Sequence, residues 1–369
     1  MGINLPDQKC FRGENMLRSL CTIQKIQALS PIDGADRIEL ATMYELGWQV
    51  IVKKGDFKID DLCIFAEIDS IFPEKPEFEF LRLKHFRIKT MKMKGVLSQG
   101  IIFSLHILGP DVYTGMLRDH YSGKTNLIGL DISDLIGVIK FELPISPGQK
   151  GNTKGNFPLD IIPKTDEMRL QSVPKLLDEM RGMNIYITEK LDGTSFTGIY
   201  LNGELRVCSR NLELREGDPV SIHVPEDVYW RVAHNFNLIE KLKRYGGNIA
   251  IQGEICGEGI AGNPLGLKGQ HLFVFNIYDI DTHKYLDFQY FVMVASNLGL
   301  RTVPILEVKE NFNMTLEELL KYAEGKYNNT KNNREGIVLR PIKETHSKVL
   351  GGRMSCKLIN NDYLLKEEK

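Results

Sequence analysis

From Leu20 to about Leu108 the chain consists of short apolar runs broken by turn residues, a spacing that leaves little choice of fold. Gly47-Trp48-Gln49-Val50-Ile51-Val52 and Asp61-Leu62-Cys63-Ile64-Phe65-Ala66 read as strands, with turns at Pro31-Ile32-Asp33-Gly34 and Lys54-Gly55-Asp56. Closely spaced short strands with Gly and Pro turns predict a small all-β barrel, of which the five-stranded OB type is one candidate. Residues 109–163 carry less pattern, and Pro147-Gly148-Gln149-Lys150-Gly151-Asn152-Thr153-Lys154-Gly155 has the composition of an exposed linker. A chain of 369 residues has room for two cores. The expected division is an arm at 1–16, an OB-like module with an extension at 17–147, a linker at 148–160 and a second domain at 161–369.

The second half mixes strands and helices, as expected of an α+β domain with antiparallel sheets. Asn184-Ile185-Tyr186-Ile187-Thr188-Glu189 alternates as a strand and delivers Lys190 to its end. Ser195 to Leu201 and Glu204 to Ser209 are two further strands joined by Asn202-Gly203, a strong hairpin signal. Between Pro225 and Tyr245, Val228, Val232, Phe236, Ile239 and Leu242 recur at helical spacing, with Gly246 and Gly247 placed to end the helix. Thr315-Leu316-Glu317-Glu318 is a capping box that opens another.

The net charge of -1 argues against general adhesion to nucleic acid, so any RNA or DNA site must be local. The six cysteines form no C-x-x-C pair and have no histidines at zinc spacing, and reduced, mostly buried thiols are expected. No run approaches the roughly 20 apolar residues of a membrane span, and no signal peptide opens the chain. These features predict a soluble intracellular protein, cytoplasmic or nuclear, without membrane contact.

Glu189-Lys190-Leu191-Asp192-Gly193-Thr194 carries the chemistry. A lysine two residues before an Asp-Gly turn is suited to attack a nucleotide phosphate, provided its amine is neutral, although a free lysine keeps its proton until roughly pH 10.4. A cation held nearby would lower that pKa. Asp192 is placed to help hold one, and Gly193 to let the backbone turn. Alone, the string is first of all a turn signal. Four segments downstream strengthen it: Cys208-Ser209-Arg210-Asn211, Ile251-Gln252-Gly253-Glu254-Ile255, Phe273-Val274-Phe275-Asn276-Ile277, and the pair Arg334-Glu335-Gly336-Ile337-Val338-Leu339-Arg340 with Ser355-Cys356-Lys357-Leu358. They offer carboxylates for a metal, cations for phosphates and an aromatic face for a base.

In this order and spacing the segments resemble motifs I, Ia, III, IIIa, IV and V of the covalent nucleotidyltransferases, the superfamily of polynucleotide ligases and mRNA capping enzymes. The resemblance spans roughly 160–360 and implies the ATP-grasp-like catalytic fold of DNA ligases. It implies that Lys190 becomes lysyl-AMP and that Arg210 contacts the nucleotide or a polynucleotide 5′-phosphate. Phe275 or Phe273 would stack on adenine, Lys357 would bind the α-phosphate, and the strand end at Glu189 would meet the base. Asp192, Glu254 and Glu335 would surround a hydrated Mg2+ (or Mn2+). Motif V commonly reads Lys-x-Lys. Here Ser355 takes the first position, leaving Lys348 or Arg353 to supply the charge.

DNA ligases and capping enzymes carry a further OB domain after motif V, but few residues follow Lys357 here, and the β-rich module comes first. That order is similar to the fifth family of ATP-dependent RNA ligases. The text from Lys84 to Ile101 looks like that family's N-terminal module, and Ile23 to Phe72 is more distantly similar to OB-type tRNA-binding modules. Pro163 to Gln171 looks like the nucleotide-pocket lead-in, which makes Gln171 a nucleotide contact. In the basic run, Arg87, Lys89, Lys92 and Lys94 suit a phosphate backbone, although lysines also guard exposed strand edges. The implied activity is ATP-dependent sealing of RNA 3′-hydroxyl and 5′-phosphate ends by a monomer, at nicks or breaks. A GTP-using capping guanylyltransferase is the enzyme alternative, and an RNA-binding protein with a degenerate catalytic half is the other.

Overall fold

The computed structural model describes residues 18–142, 152–217 and 227–366. The expected arm 1–16 and residues 148–151 of the expected linker lie outside them. In the N-terminal module, five antiparallel strands follow the order Gln49–Lys53, Ile38–Met43, Cys21–Pro31, Leu62–Ala66, Ile101–Ser104. The sheet curls into a half-barrel. A hairpin of Thr90–Met93 and Val96–Gln99 spans its open side, where Ile51 N donates to Ser98 Oγ. Trp48, Phe65, Ile23, Ile64 and Met43 fill the interior.

Two sheets make up the second domain. The larger has seven strands in the order Thr153–Asn156, Leu212–Leu214, Glu204–Cys208, Thr194–Leu201, Ile249–Gly257, Gln270–Asp279, Lys284–Tyr285. Its first strand comes from the stretch expected to be linker. The smaller sheet runs Met168–Arg169, Cys356–Ile359, Gly336–Pro341, Ile185–Lys190, Ile305–Lys309. It is antiparallel except at one edge, where Met168–Arg169 lies parallel to Cys356 and Lys357. Ile185 to Glu189 are buried on both faces, because the strand is flanked by neighbours and covered on either side.

Local signals are realised where backbone chemistry dictates them. Asn202 and Gly203 both take positive φ, as the tight hairpin turn requires. Thr315 and Glu318 exchange both capping-box bonds. The helix expected over 228–242 is broken. It forms Val228–Asn235 and Leu238–Lys243, with Asn237 left-handed between them. The break shifts the phase by one residue, so Leu238 is buried and Ile239 faces solvent. The two domains also share a core: Ile359, at the end of the Cys356–Ile359 strand, and Leu364, in the helix Asn361–Lys366, join the hydrophobic cluster of the N-terminal module. The five cysteines among the described residues are free and buried. No helix among these residues is long and apolar enough to cross a membrane.

Candidate active site

Antiparallel pairing puts Lys190 opposite Gly336, so Glu335 arrives beside the lysine at the strand end. Lys190 Nζ donates to Glu335 Oε1 at 2.5 Å, with both side chains mostly buried. On the larger sheet Ser195 pairs with Glu254, and Glu254 with Phe273, which carries a second carboxylate to the same place. Gly193 does not take the left-handed conformation. Its need is space, because a Cβ there would meet Ile255 O at 2.3 Å and Glu254 Cγ at 2.9 Å. The glycine lets the Lys190 loop lie against the Glu254 strand.

One residue without a sequence signal holds the centre together. Tyr327 is 2% exposed. Its hydroxyl accepts from the backbone N–H of Asp192 (3.0 Å) and of Glu335 (3.1 Å), and donates to Lys190 O at 3.2 Å. The Lys190–Asp192 segment and Glu335, far apart in sequence, therefore meet on one phenol. Burial pushes that phenol well above its ordinary range, so it stays protonated.

Lys357 sits between Val338 and Arg169 in the smaller sheet and contacts Asp166 at 3.3 Å. Asp166 also receives Arg210 at 3.3 Å and, from the N-terminal module, Lys140 at 2.8 Å. Burial raises the Asp166 pKa, but Lys357, Arg210 and Lys140 outweigh it and hold the carboxylate well below its usual range. Asp166 is thus the carboxylate on which the candidate phosphate-binding cations converge. Sequence reading passed over it inside the lead-in segment.

The charges in this centre oppose one another. Burial would lower the Lys190 pKa, yet Glu335 and Glu254 win and raise it. Burial pushes Glu254 up to about 8, aided by Glu335 and Asp192 and opposed by Lys190. Lys357 falls to about 8, chiefly through burial, with the charges of Lys190 and Arg169 adding to it. Among the described residues no three His, Cys, Asp or Glu side chains converge tightly enough to ligate a metal directly. Asp192 and Glu335 act electrostatically on Glu254, and three carboxylates are a donor set whose chemistry suits a hard divalent cation. A centre whose carboxylate is reluctant to ionise and whose lysine is reluctant to deprotonate is one that added positive charge would relax.

The remaining candidates divide. Phe273 and Phe275 both lie half-buried in one small cluster with Leu191, Cys256, Val303 and Tyr327, and Phe275 is 5.9 Å from the Arg340 guanidinium. Glu189 is buried and faces Arg334 at 4.0 Å. Gln171 is buried, and its backbone carbonyl accepts Gly47 N–H across the domain junction. The charge near Ser355 comes from neither Lys348 nor Arg353. Arg353 is tied to Glu344 and Asn276 and stacks 3.9 Å from the Tyr285 ring, and Lys348 is exposed. Arg340, one strand over and 2% exposed, instead bonds Ser355 Oγ at 3.0 Å and Glu167 at 2.7 Å.

The basic run is not one extended face. Residues His85 and Phe86 both take positive φ and turn the chain before the hairpin. Arg87 is drawn inward, paired with Asp69 at 2.7 Å and lying 3.5 Å from the Phe141 ring. Lys89 is half-buried, while Lys92 and Lys94 stand exposed on the hairpin.

A family model for RNA ligase matches residues 183–359, and one for an OB-fold domain matches residues 20–105. Curated proteins offer no match. Among solved structures, the Naegleria gruberi RNA ligase, as an aspartate-to-alanine variant without ligand, is 33% identical. It covers 95% of this chain and 98% of its own, with a TM-score of 0.80. This chain belongs to the RNA ligase family. A lysine-to-alanine variant of the Naegleria gruberi ligase with ATP and Mn aligns with the same identity, TM-score and coverage of this chain, and over 99% of its own. So does a structure of that ligase with PPi. The likeness runs through both the OB-fold module and the catalytic domain of the present ligase, and favours neither the capping nor the degenerate reading.

Proposed function

We propose that this ligase seals RNA ends through lysyl-AMP at Lys190. The amine attacks the α-phosphorus of ATP; a P–N bond forms and pyrophosphate leaves. An RNA 5′-phosphate then takes the AMP from Lys190, and a 3′-hydroxyl attacks that phosphate, forming the phosphodiester and releasing AMP. Mg2+ (or Mn2+), held through water by Asp192, Glu254 and Glu335, would supply the charge that loosens the Lys190–Glu335 pair and offsets the phosphates. Lys357 and Arg210, now on Asp166, are positioned to turn to phosphate oxygens. Phe275 or Phe273 offers the base a face, and Lys92 and Lys94 offer the RNA backbone two charges. The substrate class is RNA with adjoining 5′-phosphate and 3′-hydroxyl ends, at nicks or breaks, and the enzyme acts as a monomer.

The observation that carries this reading is the 2.5 Å Lys190–Glu335 pair, pinned by Tyr327 beside Glu254. The test is α-labelled ATP with magnesium: the label should stay with the polypeptide through detergent denaturation and alkali and be released by warm acid, as a P–N bond requires. Lys190→Ala should abolish it, and so should Lys190→Arg, whose guanidinium is effectively never neutral. Labelling of either variant would remove Lys190 from its role. Offering nicked duplexes with RNA or DNA in each strand separately then reads the substrate.

A further inference from the structure

Arg353 stands in the short ladder of His346–Ser347 and Gly352–Arg353, inserted between two strands of the smaller sheet. It bonds Glu344 through Nε at 2.7 Å and through Nη2. Nη1 instead crosses to the larger sheet and donates to Asn276 Oδ1 at 2.9 Å. Asn276 is 2% exposed, and its Nδ2 donates to Gln252 Oε1 at 3.1 Å. Gln252 Nε2 in turn donates to Pro163 O at 2.8 Å. With both ends of its amide engaged, Asn276 is held in one orientation.

This relay ends at an irregularity in the ladder. Gln252 pairs with Asn276, but Gly253 pairs with Val274, so Phe275 is the extra residue of a β-bulge. Bulges bend a strand and re-aim a side chain, and they are common beside active sites. Here the Phe275 ring lies 5.9 Å from the Arg340 guanidinium. Ile337 and Leu339 face the core beneath the smaller sheet. Alternation therefore puts Arg340 on the other face with Val338, whose strand partner is Lys357, and Gly336, whose partner is Lys190. The bulged ring thus lies over the face that carries both lysines, while Phe273 keeps the regular ladder opposite Glu254.

We propose that Arg353 is a positioning residue for nucleobase recognition: through Asn276 it locks the bulge that turns Phe275 into the cleft, and so selects Phe275 as the ring that stacks on the base. The inference rests on the lysyl-AMP reading. A bulge can slide along its strand unless a neighbouring side chain fixes the register. Asn276, tied to Gln252 on one side and to Arg353 on the other, leaves Phe275 as the one residue without a ladder partner. The rigid guanidinium suits this task, because it serves Glu344 with one edge and Asn276 with the other.

The experiment is lysyl-AMP formation by the full chain as a function of ATP concentration, with melting curves for each variant. The set is wild type, Arg353→Met, Asn276→Ala, Phe275→Ala and the double variant of Arg353→Met with Phe275→Ala. Arg353→Met should raise the KM for ATP about tenfold, the scale of a lost base–aromatic stack. Its maximal rate should stay within about twofold, since the ring holds the base and takes no part in transfer at phosphorus. Phe275→Ala should raise KM at least as much, and the double variant no further than Phe275→Ala alone. A folded Arg353→Met or Phe275→Ala with unchanged KM would overturn the proposal. So would effects that multiply in the double variant, which would make Arg353 a general support of the cleft. Should Arg353→Met fail to fold, Asn276→Ala carries the same cycle against Phe275→Ala with the Arg353–Glu344 pair intact. A wild-type chain that takes no label defeats the ligase reading itself, a different outcome from a labelled chain indifferent to Arg353.

Discussion

Tyr327 is the residue on which the centre turns. Its hydroxyl serves the backbone of Lys190, Asp192 and Glu335 at once. Tyr327→Phe keeps the ring and strands these buried groups, which should cost about 1–3 kcal/mol in stability. The nucleophile and its partner carboxylate would also lose their fixed spacing, and lysyl-AMP formation should slow by roughly 10–100-fold. Melting and single-turnover labelling measure the two effects; a variant labelling at the wild-type rate would show that Tyr327 is packing alone.

Charge gives a second prediction at the same scale. Glu254 has its folded pKa raised to about 8, mainly by burial, so the stability it lends is complete below the ordinary carboxylate range and is lost as pH rises through about 8. Lys357 is depressed to about 8, again mainly by burial, so its share is present above the ordinary lysine range and lost as pH falls through about 8. Metal-free protein should therefore be least stable near pH 8. Magnesium should relieve the loss by favouring ionised Glu254, and Glu254→Gln should flatten the slope between pH 5 and 8. Melting temperatures over that range, with and without magnesium, decide it; a flat wild-type profile would remove Glu254 from the charge balance. Lys190, Glu254, Glu335 and Lys357 stand out as candidates in the sequence because each lies in a short local string. Tyr327, Asp166 and Arg340 do not, because their roles exist only where strands distant in the chain come together.

Elements repeat that pattern. The capping box at Thr315 and the Asn202-Gly203 turn are complete within a few residues, and both were readable. The broken helix was not, because a left-handed Asn237 keeps the apolar spacing nearly intact while moving its phase. The basic run misled more, since a run of cations says nothing of the Asp69 pair that draws Arg87 inward and leaves Lys92 and Lys94 exposed on the hairpin. Arg87 belongs to the Asp69 junction, and its loss should lower the melting temperature. Lys92 and Lys94 stand free of that network. Replacing both with Ala should reduce the slope of log K for RNA against log salt by about 0.7–0.9 per phosphate contact, leaving lysyl-AMP formation unaltered. Filter binding across a salt series checks this, and an unchanged slope would make the hairpin lysines guards of a strand edge.

At the scale of the whole molecule, a binding half and a chemical half are too simple a division. Ile359 and Leu364 join the N-terminal module's hydrophobic cluster, Gly47 N–H bonds Gln171 O, and Trp48 Nε1 reaches Ser172 Oγ at 3.3 Å. A Cβ at Gly47 would lie 2.2 Å from Leu316, so the junction is packed at backbone distance. Two domains joined this closely should unfold as one unit. The chain has two tryptophans, one in each domain, Trp48 and Trp230, both buried. In Trp230→Phe, emission from Trp48 reports the OB-fold core and the junction at Ser172, while far-ultraviolet circular dichroism reports mainly the larger catalytic domain. The two signals should share one midpoint in heat and in denaturant. Coupling through the ion pair of Asp69 and Arg169 further predicts that Asp69→Asn lowers both midpoints together. If the tryptophan signal moves well before the dichroism, the OB-fold module is an independent body, and the shared core holds too little energy to couple it to the catalytic domain.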